Sequence, residues 1–462
     1  MERGHRLREA PPRASGPVSR TRVLIVGGGV AGLSAAWRLA RRGIDFELVE
    51  LEHEVGGTSR SARSDVSAYP WGAHYLPVPP AQNEALVTLL EEMGALHGGQ
   101  PAEHVLVREP DERVFYRGYW YPGLYPYAGA SRHDLAQLER FDAEMQRFAR
   151  DFHVPIGTSP KRLELDAIDA FTWMRQRGFD SERLLWLCDY ATRDDYGLKL
   201  EHTSAWAHVF YWASRLQGSG ESAPLLAWPE GNGALVAHLR GAVGERIRTG
   251  EMAVHVEETA RGVRTHLLGE ASRIVESEHV ILAVPRFVAA RITADVSTDG
   301  FDYGAWMVAN LHLRDRPWGR GSEPAWDNVL YDSPALGYVT ATHQRGRDFG
   351  PTVWTYYLPL VEDDPRESRR ALLEADHASL SELVVSDLER AHPDLREHLD
   401  ALDVWRWGHA MTRPRVGFMM RGARPELARS RGRIAFAHTD LSGMALFEEA
   451  FFHGVRAADE VA

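Results

Sequence analysis

The chain has 462 residues, of which 44% are hydrophobic and 10% aromatic, and its formal net charge at pH 7 is −12. This length exceeds the roughly 250–300 residues at which a single hydrophobic core stops growing, so we expect two domains. The negative charge excludes a nucleic-acid binder that contacts phosphates through a Lys/Arg patch, and no run approaches the roughly 18 apolar residues of a membrane span.

The N-terminal segment 1–20 carries scattered arginines, two consecutive prolines and no apolar run. Because a secretory signal needs a hydrophobic middle, we expect a disordered tail here. The single cysteine, Cys188, excludes an internal disulfide and lies in an apolar run that predicts a buried structural thiol. A cytoplasmic location is expected, and no metal site is predicted.

A nucleotide-binding pattern begins directly after this tail. The apolar run 23–26 predicts a parallel strand buried on both faces. Gly27, Gly29 and Gly32 follow it with the spacing G-x-G-x-x-G. The first glycine permits a tight turn, the second a close approach to a pyrophosphate, and the third close packing of a helix predicted over 33–42.

A second predicted strand, 46–49, ends at Glu50. An acid at about 20 residues from the glycines accepts hydrogen bonds from a ribose and disfavours a 2′-phosphate. A structural glycine turn is the alternative interpretation. Strand, glycines, helix, strand and acid in this order favour a Rossmann-type dinucleotide-binding domain, with Val30 and Ala31 beside the phosphates.

A second glycine pair, Gly56 and Gly57, follows Glu50 and is itself followed by Thr58. At this point the chain resembles a distant member of the FAD-dependent amine oxidase and carotenoid (phytoene) desaturase-like flavoprotein superfamily. The first motif of that superfamily continues from the ribose acid to paired glycines near the flavin phosphates. The next stretch, PWGAHY, resembles the segment that passes along the isoalloxazine ring. The residues that the resemblance places there are Gly72, Ala73, His74 and Tyr75.

Two further matches lie far along the chain. WPEGNG at 228–233, MAVHVE at 252–257 and HVILAVP at 279–285 resemble the middle part of the FAD domain. RIAFAHTD at 433–440 and ALFEEAFFHG at 445–454 resemble the last motif, in which an acid binds ribityl or phosphate oxygens and a helix points at the pyrimidine. The residues thereby implied in FAD binding are Ala253, Val254, Asp440, Ala445, Leu446 and Phe447.

The resemblance implies an α/β fold with a discontinuous Rossmann-type FAD-binding domain and a second, α+β substrate domain. The FAD-binding domain would comprise 21–85, 227–291 and 405–462, and the substrate domain 86–226 and 292–404. Within the latter, apolar spacing predicts helices over 134–150 and 181–190. Strands are predicted over 306–313, 337–342 and 352–358, a helix pair over 363–388, and a hairpin over 114–121 that turns at Arg117–Gly118.

The candidates for polar contacts with flavin and substrate are His74, Asn310, His312 and His343, and each has a structural alternative. The strand 307–313 contains no lysine, whereas many relatives carry one there that holds a water under flavin N5. Leu446 stands where relatives have a tyrosine or tryptophan of an amine-gripping cage. Both departures count against the oxidation of simple amines. No cysteine lies in the C-terminal third, which excludes the thioether flavin linkage of some relatives and favours non-covalent FAD.

Two further groups of residues, one polar and one aromatic, each allow two interpretations. The run TRDDYG at 192–197 is either an internal salt-bridge corner or a substrate-facing loop. Arg193 beside Asp194 and Asp195 favours the salt-bridge corner. The group of Trp405, Trp407 and His409 either lines a cleft or packs in the core, and core packing is the simpler interpretation.

These observations favour an FAD-dependent oxidase, dehydrogenase or desaturase. Its substrate would be a small amine, amino-acid-derived or unsaturated metabolite that gives a hydride to flavin N5. The alternatives are a non-redox flavin-dependent isomerase or mutase, and a flavin-binding protein without catalysis. A small-molecule substrate is expected, with neither nucleic acid nor a membrane as partner.

Overall fold

The computed structural model describes residues 2–9, 11–157, 160–216, 222–347, 349–420 and 427–462. Its α-helices are α1 (Glu2–His5), α2 (Val30–Arg41), α3 (Glu84–Glu92), α4 (Arg132–Phe148), α5 (Ala170–Gln176), α6 (Glu182–Tyr196), α7 (Ala205–Ala213), α8 (Gly233–Val243), α9 (Arg286–Ile292), α10 (Pro365–Glu374), α11 (His377–Glu389), α12 (Leu395–His398) and α13 (Phe447–Val461). Within this described part, no helix has both the length and the apolar character needed to cross a bilayer.

The first eleven strands are β1 (Val18–Val26), β2 (Phe46–Glu50), β3 (Ser61–Arg63), β4 (Ala68–Pro70), β5 (Tyr75–Pro77), β6 (Leu96–His97), β7 (Gln100–Pro101), β8 (Glu112–Tyr116), β9 (Tyr119–Pro122), β10 (Leu225–Ala227) and β11 (Ile247–Thr249). They include β1 and β2 of the first sheet and the hairpin β8–β9 of the second sheet.

The remaining strands complete both sheets. They are β12 (Met252–Thr259), β13 (Gly262–Leu268), β14 (Arg273–Leu282), β15 (Tyr303–Leu313), β16 (Asp327–Leu330), β17 (Gly337–Thr340), β18 (Thr352–Leu360), β19 (Leu399–Thr412) and β20 (Ile434–Phe436).

The first sheet has the order β11-β2-β1-β14-β13-β12, and β20 pairs with the end of β14. Strands β11, β2, β1, β14 and β20 are parallel, while β12 and β13 add an antiparallel meander. Val23 and Ile25 of β1 belong to one core cluster and Leu24 and Val26 to another, so this strand is buried on both faces as predicted. Helices α2, α3, α8 and α13 pack against one another on the side of Val23 and Ile25.

The second sheet has the order β19-β15-β18-β17-β16-β8-β9. It is antiparallel except where β16 pairs with β8. Helices α10 and α11 cover one face, as the sequence predicts, and helices α4 to α7 form a separate core cluster. The α/β fold with two sheets and a second α+β part is therefore confirmed.

The predicted aromatic hairpin is present as β8 and β9. Arg117 and Gly118 connect the strands with φ values of 50° and 86°. Trp120 on β9 is buried, and the guanidinium of Arg113 lies 4.0 Å from its ring centroid. The hairpin therefore packs into the domain instead of facing the large cavity described below.

The N-terminal segment differs from the predicted disordered tail. Residues 18–20 are part of β1, whose pairing with β14 begins at Val18 and Ile274. Leu7 is buried in the same core cluster as Val26 and Val49. The composition of the tail did not reveal this order because it comes from contacts with distant strands. Met1 and Ala10 lie outside the described residues.

Two of the predicted domain limits, at residues 85 and 405, lie beside or within elements that pack across the limit. The limit at residue 405 lies within β19, which pairs with β15 of the second sheet from end to end. Helix α3, just after residue 85, places Leu86, Leu89 and Leu90 in the core of the first sheet. The division of the chain into two domains remains a prediction.

Close backbone contacts join α2 to its neighbours. A Cβ atom on Gly32 would lie 1.9 Å from the carbonyl oxygen of Gly27, and one on Gly454 would lie 2.2 Å from the carbonyl oxygen of Ala31. Any side chain at these positions would separate α2 from the β1 turn or from α13. The third glycine of the fingerprint therefore has the packing role that the sequence predicts.

We predict that Gly454→Val destabilises the protein by about 1 to 3 kcal/mol, because the added atoms must displace the α2 backbone. Thermal unfolding followed by circular dichroism measures the effect. Gly241→Ala is the matched control, since this exposed glycine of α8 has no atom within 4 Å of an added Cβ. The control should be about 0.5 to 1 kcal/mol more stable than the wild type. A Gly454→Val protein as stable as the wild type would contradict the close-packing account.

Candidate functional site

A cavity of about 1300 Å³ lies between the two sheets. One end is formed by the glycine turn after β1 and by Glu50 at the end of β2, and the other by Trp306, Tyr357 and Trp407 of the second sheet. Ligand sites for small molecules usually span about 300–1000 Å³. The cavity is therefore large enough for an extended ligand and a second, smaller one.

Most of the predicted cofactor residues line this cavity. They are Gly27, Gly29, Val30, Ala31, Glu50, Gly56, Gly57, Thr58, Gly72, Ala73, His74, Tyr75, Ala253, Asp440, Ala445, Leu446 and Phe447. Gly32 and Val254 do not line it. Gly32 instead packs on the Gly27 carbonyl, and Val254 lies in the core of the first sheet.

The glycine turn leaves backbone exposed to the cavity. A Cβ atom on Gly29 would meet no atom within 4 Å, so it would project into the cavity itself. Gly29 is also the N-cap of α2 and supplies no side chain to the free amides of the first helical turn. Helix N-termini with unsatisfied amides bind anions such as phosphate. The turn and the first turn of α2 thus form an anion-binding cradle that a side chain at residue 29 would fill.

Glu50 is held in place by two backbone amides. Its Oε2 accepts a hydrogen bond from the Gly28 amide at 2.6 Å, and its Oε1 accepts one from the Glu52 amide at 2.8 Å. Burial raises the pKa of this carboxyl above its ordinary value, although both amides oppose the change. Each oxygen keeps a further lone pair, so Glu50 can accept hydrogen bonds from two hydroxyl groups of a ligand.

The segment 72–75 crosses the middle of the cavity. The Ala73 amide donates to the Thr58 carbonyl at 3.1 Å, and the Tyr357 hydroxyl donates to the Gly72 carbonyl at 2.9 Å. The His74 ring packs between the rings of Tyr75 and Tyr357. Burial lowers the pKa of His74 to about 4, so its imidazole is neutral at pH 7.

The other three predicted catalytic residues do not reach the cavity. Asn310 donates to the Pro70 carbonyl at 3.1 Å and accepts from Thr355 at 2.7 Å. Nε2 of His312 lies 3.1 Å from a carboxylate oxygen of Asp403, and Nε2 of His343 lies 2.7 Å from the Arg108 carbonyl. The structure gives all three a structural partner and does not bring them together with His74.

Asn310 is predicted to contact flavin or substrate, but Trp306 and Val308, earlier on β15, lie at the cavity instead. Both share with Asn310 one face of the strand. Asn310 instead supports the chain just before residue 72 through the Pro70 carbonyl. The alternation of the strand identified the correct face, but only the packing of the two sheets determines how far along β15 the cavity extends.

Several other residues line the cavity although the sequence favoured another role for them or gave no sign of them. Trp407 and His409 line the cavity, which corrects the simpler core-packing interpretation. Asp194 and Asp195 at the end of α6 also line it, together with Arg215. No periodic pattern singles out Arg215, because it follows α7 in an irregular segment.

Asp440 joins the two sheets beside the cavity. Its Oδ2 accepts from the Arg286 amide and the Tyr303 hydroxyl, both at 2.7 Å, and its Oδ1 accepts from the Thr412 hydroxyl at 2.8 Å. Burial raises the pKa of Asp440, but His438 and these donors outweigh burial and hold the pKa well below its usual range. The carboxylate is therefore charged and committed to protein donors at neutral pH.

Helix α13 begins directly beyond this acid. Its N-cap, Leu446, gives no side-chain hydrogen bond to the first-turn amides, and Ala445, Leu446 and Phe447 line the cavity. The positive end of the α13 dipole is thus directed at the cavity. Two uncapped helix N-termini, those of α2 and α13, contribute to its walls.

We predict that Asp440→Asn destabilises the protein at pH 7 by about 1.5 to 3 kcal/mol, the range for hydrogen bonds to a charged group. A carboxyl whose folded-state pKa is depressed stabilises the fold above its unfolded pKa, about 3.9 for Asp, and loses this stabilisation as pH falls. The difference from the wild type should therefore shrink below about pH 4. Urea unfolding at a series of pH values tests this.

The control for this titration is Asp65→Asn, which removes an exposed carboxylate. It should leave stability nearly unchanged at every pH. A destabilisation by Asp440→Asn that stays constant down to acid pH would show that the charge of Asp440 is not what stabilises the junction.

The model of the family described as flavin containing amine oxidoreductase matches residues 30–462. Amine oxidase [flavin-containing] B of Sus scrofa is 23% identical over 291 residues, which cover 59% of this chain and 52% of that protein. The peroxisomal N(1)-acetyl-spermine/spermidine oxidase of Bos taurus is 39% identical over 98 residues, which cover 21% of this chain and 18% of that protein. The match therefore spans about half of the first relative's length and less of the second's.

Solved structures show the same fold. Wild-type putrescine oxidase bound to putrescine superimposes with a TM-score of 0.74 at 18% identity, covering 96% of this chain and 99% of that one. A CLA-producing fatty acid isomerase from P. acnes superimposes with a TM-score of 0.67 at 16% identity, covering 95% and 98%. At these identities the likeness establishes the fold alone. With a family match over nearly the whole chain, the protein belongs to the flavin containing amine oxidoreductases.

Proposed function

We propose that the protein holds FAD non-covalently in the cavity and oxidises a small amine. The missing lysine and Leu446 count against simple amines, but the family match over residues 30–462 favours an amine substrate. The observation that carries this proposal is the continuity of the cavity from the glycine cradle and Glu50 to the aromatic chamber of Trp306, Tyr357 and Trp407. A dinucleotide fits the first part, and a small substrate fits the second.

The residues around the cavity fit the parts of FAD in turn. The free amides at the start of α2 would bind the pyrophosphate, and Glu50 would accept hydrogen bonds from the ribose hydroxyls. Ala253 would contact the adenine, and the backbone at Asp440 would lie near the ribityl chain. The Asp440 side chain is already bonded to Tyr303, Thr412 and the Arg286 amide, so its main role is to hold this corner in place.

Non-covalent binding is supported by the surroundings of Cys188 and His74. Cys188 is buried in the core of the α4–α7 helices and does not line the cavity. The His74 ring does line the cavity, but it packs against the rings of Trp326 and Tyr357. Cys188 therefore cannot reach a ligand in the cavity, and His74 is held by its aromatic neighbours.

When bound, FAD supplies the N5 atom that accepts a hydride. The first-turn amides of α13 stabilise negative charge at their end of the cavity by about 0.3 to 2 kcal/mol. His74 is neutral at pH 7 and serves as a hydrogen-bonding wall, not as a cation. Trp306, Val308 and Trp407 exclude water from the chamber and orient the substrate.

The chain has two lysines, Lys161 and Lys199, and neither lines the cavity. The water-holding lysine of many relatives therefore has no counterpart among the described lining residues. We propose that the substrate amine donates its hydride as the neutral base, because a nitrogen lone pair removes the need for a protein base. We further propose a cytoplasmic location, which the absence of a second cysteine for disulfide formation supports.

The test is anaerobic addition of compound classes to the holoenzyme while the visible flavin absorbance is followed. We predict that primary or secondary amines bleach the flavin and that admitting oxygen restores its colour with release of peroxide. Bleaching by unsaturated acids but not by amines would make the protein a desaturase. A product of unchanged oxidation state that forms only after prior flavin reduction would make it an isomerase.

Two variants localise the reaction to the aromatic chamber. Val308→Phe adds bulk inside the chamber and should raise the amine concentration needed for half-maximal bleaching roughly tenfold or more. Val18→Phe makes the same change at an exposed position of β1 and should behave as the wild type. If both variants bleach like the wild type at the same flavin content, the substrate does not occupy this chamber.

A further inference from the structure

The end of α6 turns two adjacent carboxylates toward the cavity. Asp194 and Asp195 both line it. The sequence suggested that Arg193 would neutralise them, but the Arg193 guanidinium lies 3.0 Å from Asp189 and donates to the Pro334 carbonyl at 3.0 Å. Arg193 therefore points away from the cavity and leaves the pair to other partners.

Asp195 has a partner of its own. Nη2 of Arg215 donates to both carboxylate oxygens of Asp195 at 2.8 Å, and Nη1 donates to the Tyr211 carbonyl at 2.8 Å. Because both partners are ionised, this is a charge-assisted contact, which is stronger than a hydrogen bond between neutral groups. The Arg215 guanidinium is thus committed to Asp195.

Asp194 has no hydrogen-bond or ion-pair partner among the described residues, although it lies in the wall of the cavity. The charged groups around it are mostly acidic: Asp195, Glu112 and Asp327 repel it, whereas Arg215 and Arg193 attract it. Burial and the neighbouring Asp195 raise the pKa of Asp194 to about 7. The Asp194 carboxyl group therefore lines the cavity without a paired cation in the described part of the chain.

Asp194 interacts with Tyr357 of the aromatic chamber, which places this excess of acid at the proposed substrate end. Tyr75, in the segment that crosses the middle of the cavity, interacts with Asp194, Asp195 and Arg215. Glu448, in the first turn of α13, is buried in the same wall and also interacts with Asp195 and Arg215. The glycine cradle and Glu50 belong to the opposite end. Asp194 is thus placed to meet a substrate and not the dinucleotide.

We propose that Asp194 binds a positively charged group of the substrate that is remote from the carbon to be oxidised, so that the preferred substrates are amines with a second cationic nitrogen. This inference rests on the proposed function of the cavity and adds the substrate class. A cationic group of the substrate would pair with Asp194, which has no such partner among the residues that the structure describes. Asp195 would not compete for this group, because it is already paired with Arg215. The carbon chain between the two nitrogens would lie along the apolar wall of Trp306 and Val308.

Equilibrium binding to the oxidised holoenzyme tests this proposal by calorimetry under anaerobic conditions. The probes are 1,4-diaminobutane, 1,6-diaminohexane and 1,8-diaminooctane, each paired with the n-alkylamine of the same carbon count. For at least one pair, the diamine should bind roughly 10- to 100-fold more tightly, the range for a hydrogen bond to a charged group. Asp194→Asn, which keeps the shape of the side chain, should abolish most of this preference.

Glu182→Gln is the matched control, because it removes an exposed carboxylate of the same helix that does not line the cavity. It should keep the preference for diamines. Equal affinity of the wild type for diamine and monoamine in every pair would overturn the proposal, as would a preference that survives in Asp194→Asn. The wild-type comparison alone decides the matter if the variant does not fold.

The role of Asp194 in binding and the proposed oxidation can be refuted independently of each other. Diamines that bind with an Asp194-dependent preference but never bleach the flavin would support this inference and refute the proposed oxidation. Monoamines that bleach the flavin as readily as diamines, with no difference in affinity, would support the oxidation and refute the role of Asp194.

Discussion

The close approach of backbone around α2 is the constraint on which the rest of the site depends. Gly32 lets the helix start against the Gly27 carbonyl, and Gly454 lets α13 lie against the Ala31 carbonyl. Both contacts keep side chains out of the space in front of β1, so the first amides of α2 open onto the cavity. Glu50 then sits at the end of the neighbouring parallel strand, fixed by two amides. An anion site and a hydroxyl acceptor thus arise side by side from glycine packing and strand order.

The cavity carries opposite electrostatic preferences at its two ends. Free helix amides at the start of α2 favour negative groups along the proposed dinucleotide path. At the proposed substrate end, Arg215 pairs with Asp195, and Asp194 lines the cavity without a paired cation among the described residues. Between them, His74 is kept neutral by burial, so it separates the two regions without adding charge. This division favours an anionic cofactor at one end and a cationic substrate at the other.

The sequence predicted what depends on local chain geometry. The strand, glycine and acid pattern up to Glu50, the hairpin at Arg117–Gly118 and the helix pair α10 and α11 are all present. It could not predict what depends on the relative placement of distant elements. Asn310 lies on the predicted face of β15 but two residues beyond the cavity, and Leu7 is ordered only because it meets strands from far along the chain. The side to which Arg193 turns was likewise decided by Asp189, one helical turn earlier.

The central claim is that FAD occupies the cavity without a covalent bond and that Glu50 holds its ribose. The direct measurement is the equilibrium affinity of the apoprotein for FAD, with Glu50→Ala compared against Glu54→Ala, an exposed acid that does not line the cavity. If FAD is bound in this way, the protein contains FAD in a 1:1 ratio and releases it intact on denaturation; the proposal makes this its first expected result. It also predicts an affinity reduced in Glu50→Ala alone, by about 1.5 to 3 kcal/mol for each lost hydrogen bond. A colourless protein that takes up no FAD, or equal affinities in the two variants, would contradict it.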